Sequence, residues 1–191
     1  MSRPFLFGKL PAHGDFVARG LSPEAERLLD DWASREMETA REALGEAFDA
    51  AHDAAPGWGF IAGPGPLGDG WRWGAAAASV DSAGRRFLIL AGLGDMEGPE
   101  AAFLGLDGVR RTEEAIRRML LDRLDADAAL DLLAHDDIVS GEAGRILAAC
   151  PGRGAWWSMA GLAPAAGGDV PPAGLVSSTL ERVSDLLKEA A

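Results

Sequence analysis

Residues 71–91 read WRWGAAAASVDSAGRRFLILA, a pattern that predicts two strands joined by a tight turn. The first strand spans Trp71 to Val80, and the second spans Arg85 to Ala91. Between them, Asp81-Ser82-Ala83-Gly84 has the composition of a hairpin turn. Alanines 75–78 have low strand propensity, but strand-forming residues flank them on both sides. The short connection favours antiparallel pairing, because a parallel crossover needs a dozen or more residues.

The segments on the N-terminal side of this hairpin add further elements. Trp58 to Ala62 predicts a strand that precedes the hairpin, and Phe5 to Leu10 predicts the first strand of the chain. A helix is predicted from Glu24 to Ala51, and Ser22-Pro23 before it supplies a favourable N-cap and a proline for the first turn. Trp32 lies on the apolar stripe of this helix and is therefore expected to be buried.

The C-terminal half is predicted to be mainly helical. Helices are expected at Val109–Leu124, Ala126–Ala134, Glu142–Ala149 and Thr179–Ala190, and one late strand is expected at Ala155–Met159. A mobile loop is expected at residues 163–174, which are rich in alanine, glycine and proline. Strands and helices segregate along the chain, which favours the α+β class over alternating βαβ units. We expect a single domain over residues 1–191, an antiparallel β-sheet meander flanked by α-helices.

The charge balance restricts the kinds of partner. The chain has 191 residues, of which 30 are acidic and 18 are lysine or arginine, so its net charge is −12. Such a field repels nucleic acid and anionic membrane surfaces, and no nucleic-acid partner is expected. No segment approaches the roughly 18 apolar residues of a membrane helix, and the N-terminus lacks the apolar core of a secretion signal. We therefore expect a cytoplasmic protein without direct membrane insertion.

The sequence contains no convincing cofactor or metal motif. Residues 63–68 read GPGPLG and match the spacing of a dinucleotide-binding loop, but two prolines remove amide donors and a strand follows instead of a helix. The single cysteine, Cys150, excludes an internal disulfide and a zinc site built from several cysteines, and it is expected to be a small buried apolar residue. No cofactor is expected.

Glycine, charged and aromatic residues concentrate in two cassettes. Cassette 1 is Gly8–Val17 (GKLPAHGDFV), and cassette 2 is Ser79–Leu88 (SVDSAGRRFL). The candidate interaction residues are Lys9, Pro11, His13, Gly14, Asp15, Phe16, Ser79, Asp81, Gly84 and Arg85, together with Trp156 and Trp157 of the late strand. The two tryptophans alternate faces on a strand, so one can be buried while the other lies near the surface as a candidate interface anchor.

Two non-catalytic interpretations of the cassettes remain open. In the first, their polar side chains hold loops in place. Asp81 then either caps its own turn through backbone amides or pairs with Lys9 or Arg85, and Asp15 is tied to a turn or a cation in the same way. In the second, the cassettes form part of a surface that binds a partner.

A third interpretation is catalytic. His13, Asp15 and Asp81 are residue types used in acid–base and metal-dependent hydrolysis, and His135 offers a further ligand. The spacing is not diagnostic, because neighbouring residues on one element point apart and a histidine also suits a helix C-terminus. A small metal-dependent or acid–base hydrolase is therefore the alternative to a binding protein.

In this order, the two cassettes resemble the TagF family, accessory proteins of bacterial type VI secretion. Within cassette 1, Gly8 to Phe16 is similar to the family's G-K-L/M-P-x-x-G-D-F opening. Ser79 to Leu90, which includes cassette 2, is similar to its P-S-x-D-x-x-G-R-x-F-P-L segment. Weaker similarities are found at Asp30-Asp31-Trp32, Trp58-Gly59-Phe60 and Trp156-Trp157. The chain departs from the family pattern at two places. Ala78 stands where the family usually has proline, and Phe87-Leu88-Ile89 stands where the family has F-P-L.

The resemblance implies a regulator that is not an enzyme. TagF-like proteins act post-translationally to repress assembly of the secretion apparatus, and a forkhead-associated scaffold protein is the expected partner. The composition agrees with this expectation in a limited way, because the chain is acidic and carries no assembled catalytic motif.

Overall fold

A computed structural model describes residues 3–96, 105–134, 154–162 and 166–190, with side chains for all of these except 96 and 105–107. The strands are β1 Arg3–Gly8, β2 Val17–Arg19, β3 Trp58–Ala62, β4 Trp71–Val80, β5 Arg86–Met96, β6 Gly154–Ser158 and β7 Ala166–Gly167. The helices are α1 Pro23–Leu44, α2 Phe48–Asp53, α3 Gly105–Leu121, α4 Ala126–Ala134 and α5 Leu175–Glu189, and a 3-10 turn at Gly45–Ala47 links α1 to α2.

The strands described here form one sheet in the order β2-β1-β5-β4-β3-β6-β7, and every neighbouring pair is antiparallel. The predicted meander of β3, β4 and β5 is confirmed, and β1 adds to the free edge of β5. The predicted α+β class is likewise confirmed. None of the described helices is long and apolar enough to cross a membrane.

Helices cover both faces of the sheet, because the strand side chains alternate between two apolar clusters. Phe5, Phe7 and Leu88 point to the face covered by α1, α2 and α5. Leu6 and Ile89 point to the opposite face, which is covered by α3 and α4. The alanines of β4 form a regular strand although alanine has a low strand propensity. Their small side chains lie at the centre of the sheet and leave room for the covering helices to approach.

The paired glycines Gly74 and Gly92 explain how aromatic residues fit at the centre of the sheet. A Cβ atom on Gly74 would collide with the carbonyl of Ala91 and the ring of Phe60, and one on Gly92 would collide with the carbonyl of Trp73 and approach Phe5 closely. The rings of Phe5 and Phe60 lie 6.1 Å apart over this pair. The glycines therefore provide the space in which these two large side chains pack against the sheet.

Several predicted boundaries differ from the structure. The helix predicted from Glu24 to Ala51 is broken at Gly45, whose φ of 53° leaves the α-helical region and ends α1. The helix predicted to end at Leu124 ends at Leu121 instead, with Arg123 in a left-handed conformation two residues later. The late strand is one residue earlier than predicted at each end. The predicted helix Glu142–Ala149 and Cys150 lie outside the described residues.

The start of α5, like the start of α3 at Gly105, lies four residues before the predicted position. The sequence predicts a start at Thr179, but the helix begins at Leu175. Gly174 precedes it with no capping side chain of its own, and the buried carboxylate of Glu36 in α1 accepts hydrogen bonds from the amides of Gly174, Val176 and Ser177. Glu36 therefore caps α5 from 140 residues away, which no local pattern indicates. The predicted loop before it contains the short strand β7.

Trp32 is buried as predicted, and its removal should threaten folding. Its indole packs 6.1 Å from the ring of Trp156, and Nε1 donates to the carbonyl of Pro172 at 3.0 Å. Trp32→Ala should lower the free energy of unfolding by about 3–5 kcal/mol in urea titrations. Trp32→Phe keeps most of the packing and should cost clearly less. A loss below about 1 kcal/mol for the alanine variant would contradict this burial.

Glu36→Ala should destabilise the protein by removing the acceptor for the first turn of α5. Hydrogen bonds to a charged group typically contribute roughly 1.5–3 kcal/mol, and the amides left behind are buried. Chemical denaturation should show a loss of at least this size. Glu38→Ala is the matched control, because Glu38 is an exposed carboxylate on the same helix. Equal effects of the two substitutions would show that capping by Glu36 contributes nothing.

Candidate functional site

The two cassettes meet at the carboxylate of Asp81, whose side chain has no exposed surface. The Lys9 ammonium donates to its Oδ2 at 3.0 Å, and the Arg85 Nε donates to the same oxygen at 2.6 Å. The other oxygen, Oδ1, accepts from the amides of Ala83 and Arg85 at 3.0 and 2.9 Å. Asp81 thus caps its own turn and pairs with both cations, which combines the alternatives that the sequence leaves open.

Asp81 is held as an anion by these contacts. Burial by itself raises the pKa of the carboxyl, but hydrogen bonds from the Arg85 amide, the Lys9 ammonium, the Arg85 guanidinium and the Ala83 amide outweigh it. The pKa of Asp81 therefore lies far below its ordinary value. A carboxylate so strongly stabilised is a poor proton acceptor, and its surroundings are those of a structural ion pair.

The hairpin turn supplies the geometry for these contacts. Gly84 has a φ of 80° and donates its amide to the carbonyl of Asp81 at 2.9 Å, so the turn closes on a residue that tolerates the left-handed region. Ser79, just before the turn, donates its hydroxyl to the carbonyl of Lys9 at 2.6 Å. At the end of β1, a Cβ on Gly8 would collide with the carbonyl of Leu88, so a glycine is needed where the two cassettes cross.

The turn in cassette 1 contacts both cassette 2 and the helices on the opposite face of the sheet. The carbonyl of Gly14 accepts from Arg85 Nη2, and the carbonyl of His13 accepts from the amide of Ser82. The ring of His13 accepts from the amide of Ala126 at the start of α4 through Nε2 at 3.0 Å. Pro11 accepts from Arg123 through its carbonyl at 2.9 Å. Cassette 1 therefore connects the β-hairpin to the α3–α4 segment.

Asp15 and Phe16 project outward at the tip of cassette 1. Asp15 is exposed, and its carboxylate has no hydrogen-bond or ion-pair partner among the described residues. The prediction that Asp15 is tied to a turn or a cation is therefore wrong; its neighbours Gly14 and His13 make those contacts through their backbones. Phe16 is 46% exposed, yet its ring lies edge-on to Phe87 at 4.7 Å.

The two tryptophans of β6 occupy opposite faces of the sheet. Trp156 is fully buried and stacks on Phe60 with ring centroids 4.4 Å apart. Trp157 is half-buried against Gly59 and the cluster formed by Ile61, Trp73 and Leu93. The predicted role of Trp157 as an interface anchor stays a prediction.

A groove of about 550 Å³ opens beside Phe16, between cassette 2 and helix α1. Arg41 from α1 lies on its wall and donates Nη2 to the carbonyl of Arg86 at 2.8 Å. Arg86 pairs with Asp53 and Asp49 at 2.7 and 2.9 Å. Hydrogen bonding to Arg86 is the main cause of a lowered pKa of Asp53. No local sequence pattern distinguishes Arg41 and Asp53 from other polar residues on an exposed helix face, so the sequence does not indicate their role here.

The candidate catalytic residues are engaged in different ways. His13 uses Nε2 to accept from a helix amide, Asp81 is saturated with donors, and Asp15 projects freely. Within the described ranges, no group of three or more histidine, cysteine, aspartate or glutamate side chains is arranged to hold a metal ion. His135 lies outside the described residues.

Comparison with known proteins places this arrangement in a class. Residues 6–136, which include both cassettes, match the family model of the TagF N-terminal domain, described as Type VI secretion system-associated. The fold and the two cassettes are thus those of a protein associated with type VI secretion. The chain belongs to the TagF family, as the resemblance of its cassettes predicts.

One solved structure has the same fold along nearly the whole chain. The protein PA0076 of Pseudomonas aeruginosa PAO1, whose crystal structure was determined at 2.05 Å resolution, is similar with a TM-score of 0.70 and 24% sequence identity. The similarity covers 93% of this chain and 93% of that one. It extends the shared fold beyond the residues that the family model matches. No curated protein matches the chain significantly.

The ion pairs at Asp81 generate a pH-dependent prediction. Because the pKa of Asp81 is lowered in the folded state, its carboxylate stabilises the fold above the unfolded-state pKa of about 3.9, and this contribution is lost as the pH falls through the folded value. Asp81→Asn should lower the urea midpoint at about pH 7, and the gap to the wild type should close only below about pH 4.

Asp15→Asn is the matched control, because it neutralises a carboxylate of the same cassette pair that has no described partner. Its urea midpoint at about pH 7 should equal that of the wild type. A gap between wild type and Asp81→Asn that stays constant down to about pH 3 would contradict the proposed ionic role of Asp81.

Proposed function

We propose that this protein represses assembly of the type VI secretion apparatus after translation, by binding a forkhead-associated scaffold protein in the cytoplasm. The observation that carries the proposal is the match of residues 6–136 to the TagF N-terminal domain, which includes both cassettes. Repressors of the TagF type act as binding proteins. The expected activity therefore requires a stable surface and sufficient copies of the protein, and no chemical step.

The chemistry of the cassettes supports binding over hydrolysis. Asp81 has a strongly lowered pKa and four donors, so it has neither the proton affinity nor the free lone pairs of a general base. The Nε2 of His13 accepts from the amide of Ala126 at the start of α4, so this nitrogen already has a partner within the fold. The polar residues of the cassettes instead fix the relative positions of cassette 1, the hairpin and α4.

Overproduction of the protein in its native bacterium should reduce type VI secretion in proportion to the amount of protein, with unchanged transcript levels of the secretion genes. Leu121→Ala, at an exposed position on α3, should repress as well as the wild type. If the protein were a hydrolase that used His13 or Asp15, loss of the acid–base group would reduce the rate by about 10²–10⁴. Secretion assays over an expression series, combined with co-purification of the forkhead-associated scaffold, measure both expectations.

The comparison with His13→Ala must be made at equal amounts of folded protein, because His13 caps α4 and its loss costs stability. Repression at copy numbers far below those of the scaffold, abolished by His13→Ala in a protein that remains folded, would reject the binding mechanism. Failure of the wild-type protein to co-purify with the scaffold would reject that partner.

A further inference from the structure

We propose that the groove beside Phe16 binds an acidic segment of a protein partner, with an apolar side chain of that segment seated on the Phe16 ring. This inference rests on the proposed function only in assuming that the protein acts by binding a protein. It adds the surface and the chemistry of the segment, which the family match does not assign.

The first argument is the exposed but fixed ring of Phe16. The ring is 46% exposed, and three contacts hold it: the edge of Phe87 at 4.7 Å, Phe7 at 6.1 Å, and the Lys9 ammonium 5.3 Å from its centroid. Lys9 is itself held by Asp81. A large aromatic surface that is already ordered loses little conformational entropy on binding, which is the property of interface hot spots.

The second argument is the charge around that ring. The groove wall carries four cations, Lys9, Arg41, Arg85 and Arg86, and one carboxylate, Asp49. Asp81 and Asp53 pair with lining cations, so the groove lining and its ion-pair partners together carry one net positive charge in a chain whose net charge is −12. Asp15, next to Phe16 in the chain, is outside this count.

Arg41 and Arg85 are the cations most available to a partner. Arg41 is exposed and has no carboxylate partner in the part of the chain that the structure describes; its guanidinium lies 4.7 Å over the ring of Phe48. The Arg85 side chain is 61% exposed, although its Nε donates to Asp81 and its Nη2 donates to the carbonyl of Gly14. Two accessible guanidinium groups beside an aromatic ring favour carboxylate-bearing ligands.

The charge distribution also selects among occupants. A second copy of this chain brings a further net charge of −12, and nucleic acid brings phosphates toward the same acidic molecule. The negative charge of this chain repels either of these occupants everywhere except at the groove. A partner that is neutral or basic overall but contains an acidic segment fits this charge distribution. Its acidic segment contacts the groove, and the rest of its surface faces the acidic remainder of this chain.

The decisive experiment places a photo-crosslinking residue, p-benzoylphenylalanine, at position 16 of the full chain in the native bacterium. The control places it at position 121, because Leu121 is an exposed apolar residue on α3, on the opposite face of the sheet. Mass spectrometry then identifies the crosslinked segment. An aspartate- and glutamate-rich protein segment captured from position 16 and not from position 121 is the expected result.

The identity and the chemistry of the captured segment answer separate questions. If the segment is acidic but belongs to a protein other than the forkhead-associated scaffold, the inference holds and the proposed partner is wrong. A neutral or basic segment, nucleic acid, a second copy of this chain, or no enrichment over position 121 overturns the inference even if the scaffold binds elsewhere.

Binding of the captured protein to purified variants provides the second test. Phe16→Ala and Arg41→Glu should each weaken the affinity by about tenfold or more, and the affinity of the wild type should fall with added salt. Leu121→Ala and Arg118→Glu, exposed positions on α3, should change it less than about twofold. Thermal melts establish that each variant is folded, and Arg41→Gln provides a milder substitution if Arg41→Glu is not. Equal affinities for all folded variants overturn the inference.

Discussion

The buried carboxylate of Asp81 is the interaction on which the arrangement of both cassettes depends. It lies in a hairpin turn, so the local backbone needs it, and it accepts from Lys9, 72 residues earlier in the chain. An ion taken out of water is costly unless its partners and hydrogen bonds replace the solvent completely. The donors to Asp81 come both from its own turn and from Lys9 at the end of β1. The cost of burying the carboxylate is therefore offset only when the turn and the end of β1 are both in place. The ion pair therefore couples two distant segments into one conformational unit.

Two aromatic rings belong to the same unit. Above Lys9 and Asp81 lie the rings of Phe16 and Phe87, and the ammonium faces both at 5.3 and 5.8 Å. The ammonium thus contacts a carboxylate on one side and two aromatic rings on the other. A nearly buried cation of this kind fixes the positions of the exposed side chains around it. These positions determine the shape of the groove between cassette 2 and α1.

The sequence predicted the meander, the covering helices and the burial of Trp32, because alternation and helical periodicity are local signals. It also indicated which residue types in the cassettes carry polar contacts, but it did not choose between capping and pairing for Asp81, which does both. Asp15 was misjudged because adjacent residues in a turn contribute through side chain or backbone according to geometry that the sequence does not encode. The roles of Glu36 and Arg41 were not predicted for a related reason, because their partners lie in elements far along the chain.

The capping of α5 by Glu36 bears on how this chain folds as it is made. The carboxylate and the amides it accepts from are 140 residues apart, and Pro172, which accepts from Trp32, is equally distant from it. At ribosomal rates of about 5–20 residues per second, α1 leaves the ribosome on the order of ten seconds before its cover is synthesised. During that interval the carboxylate of Glu36 and the apolar face of α1 lack the contacts that α5 supplies, so this part of α1 is open to solvent until α5 has been made.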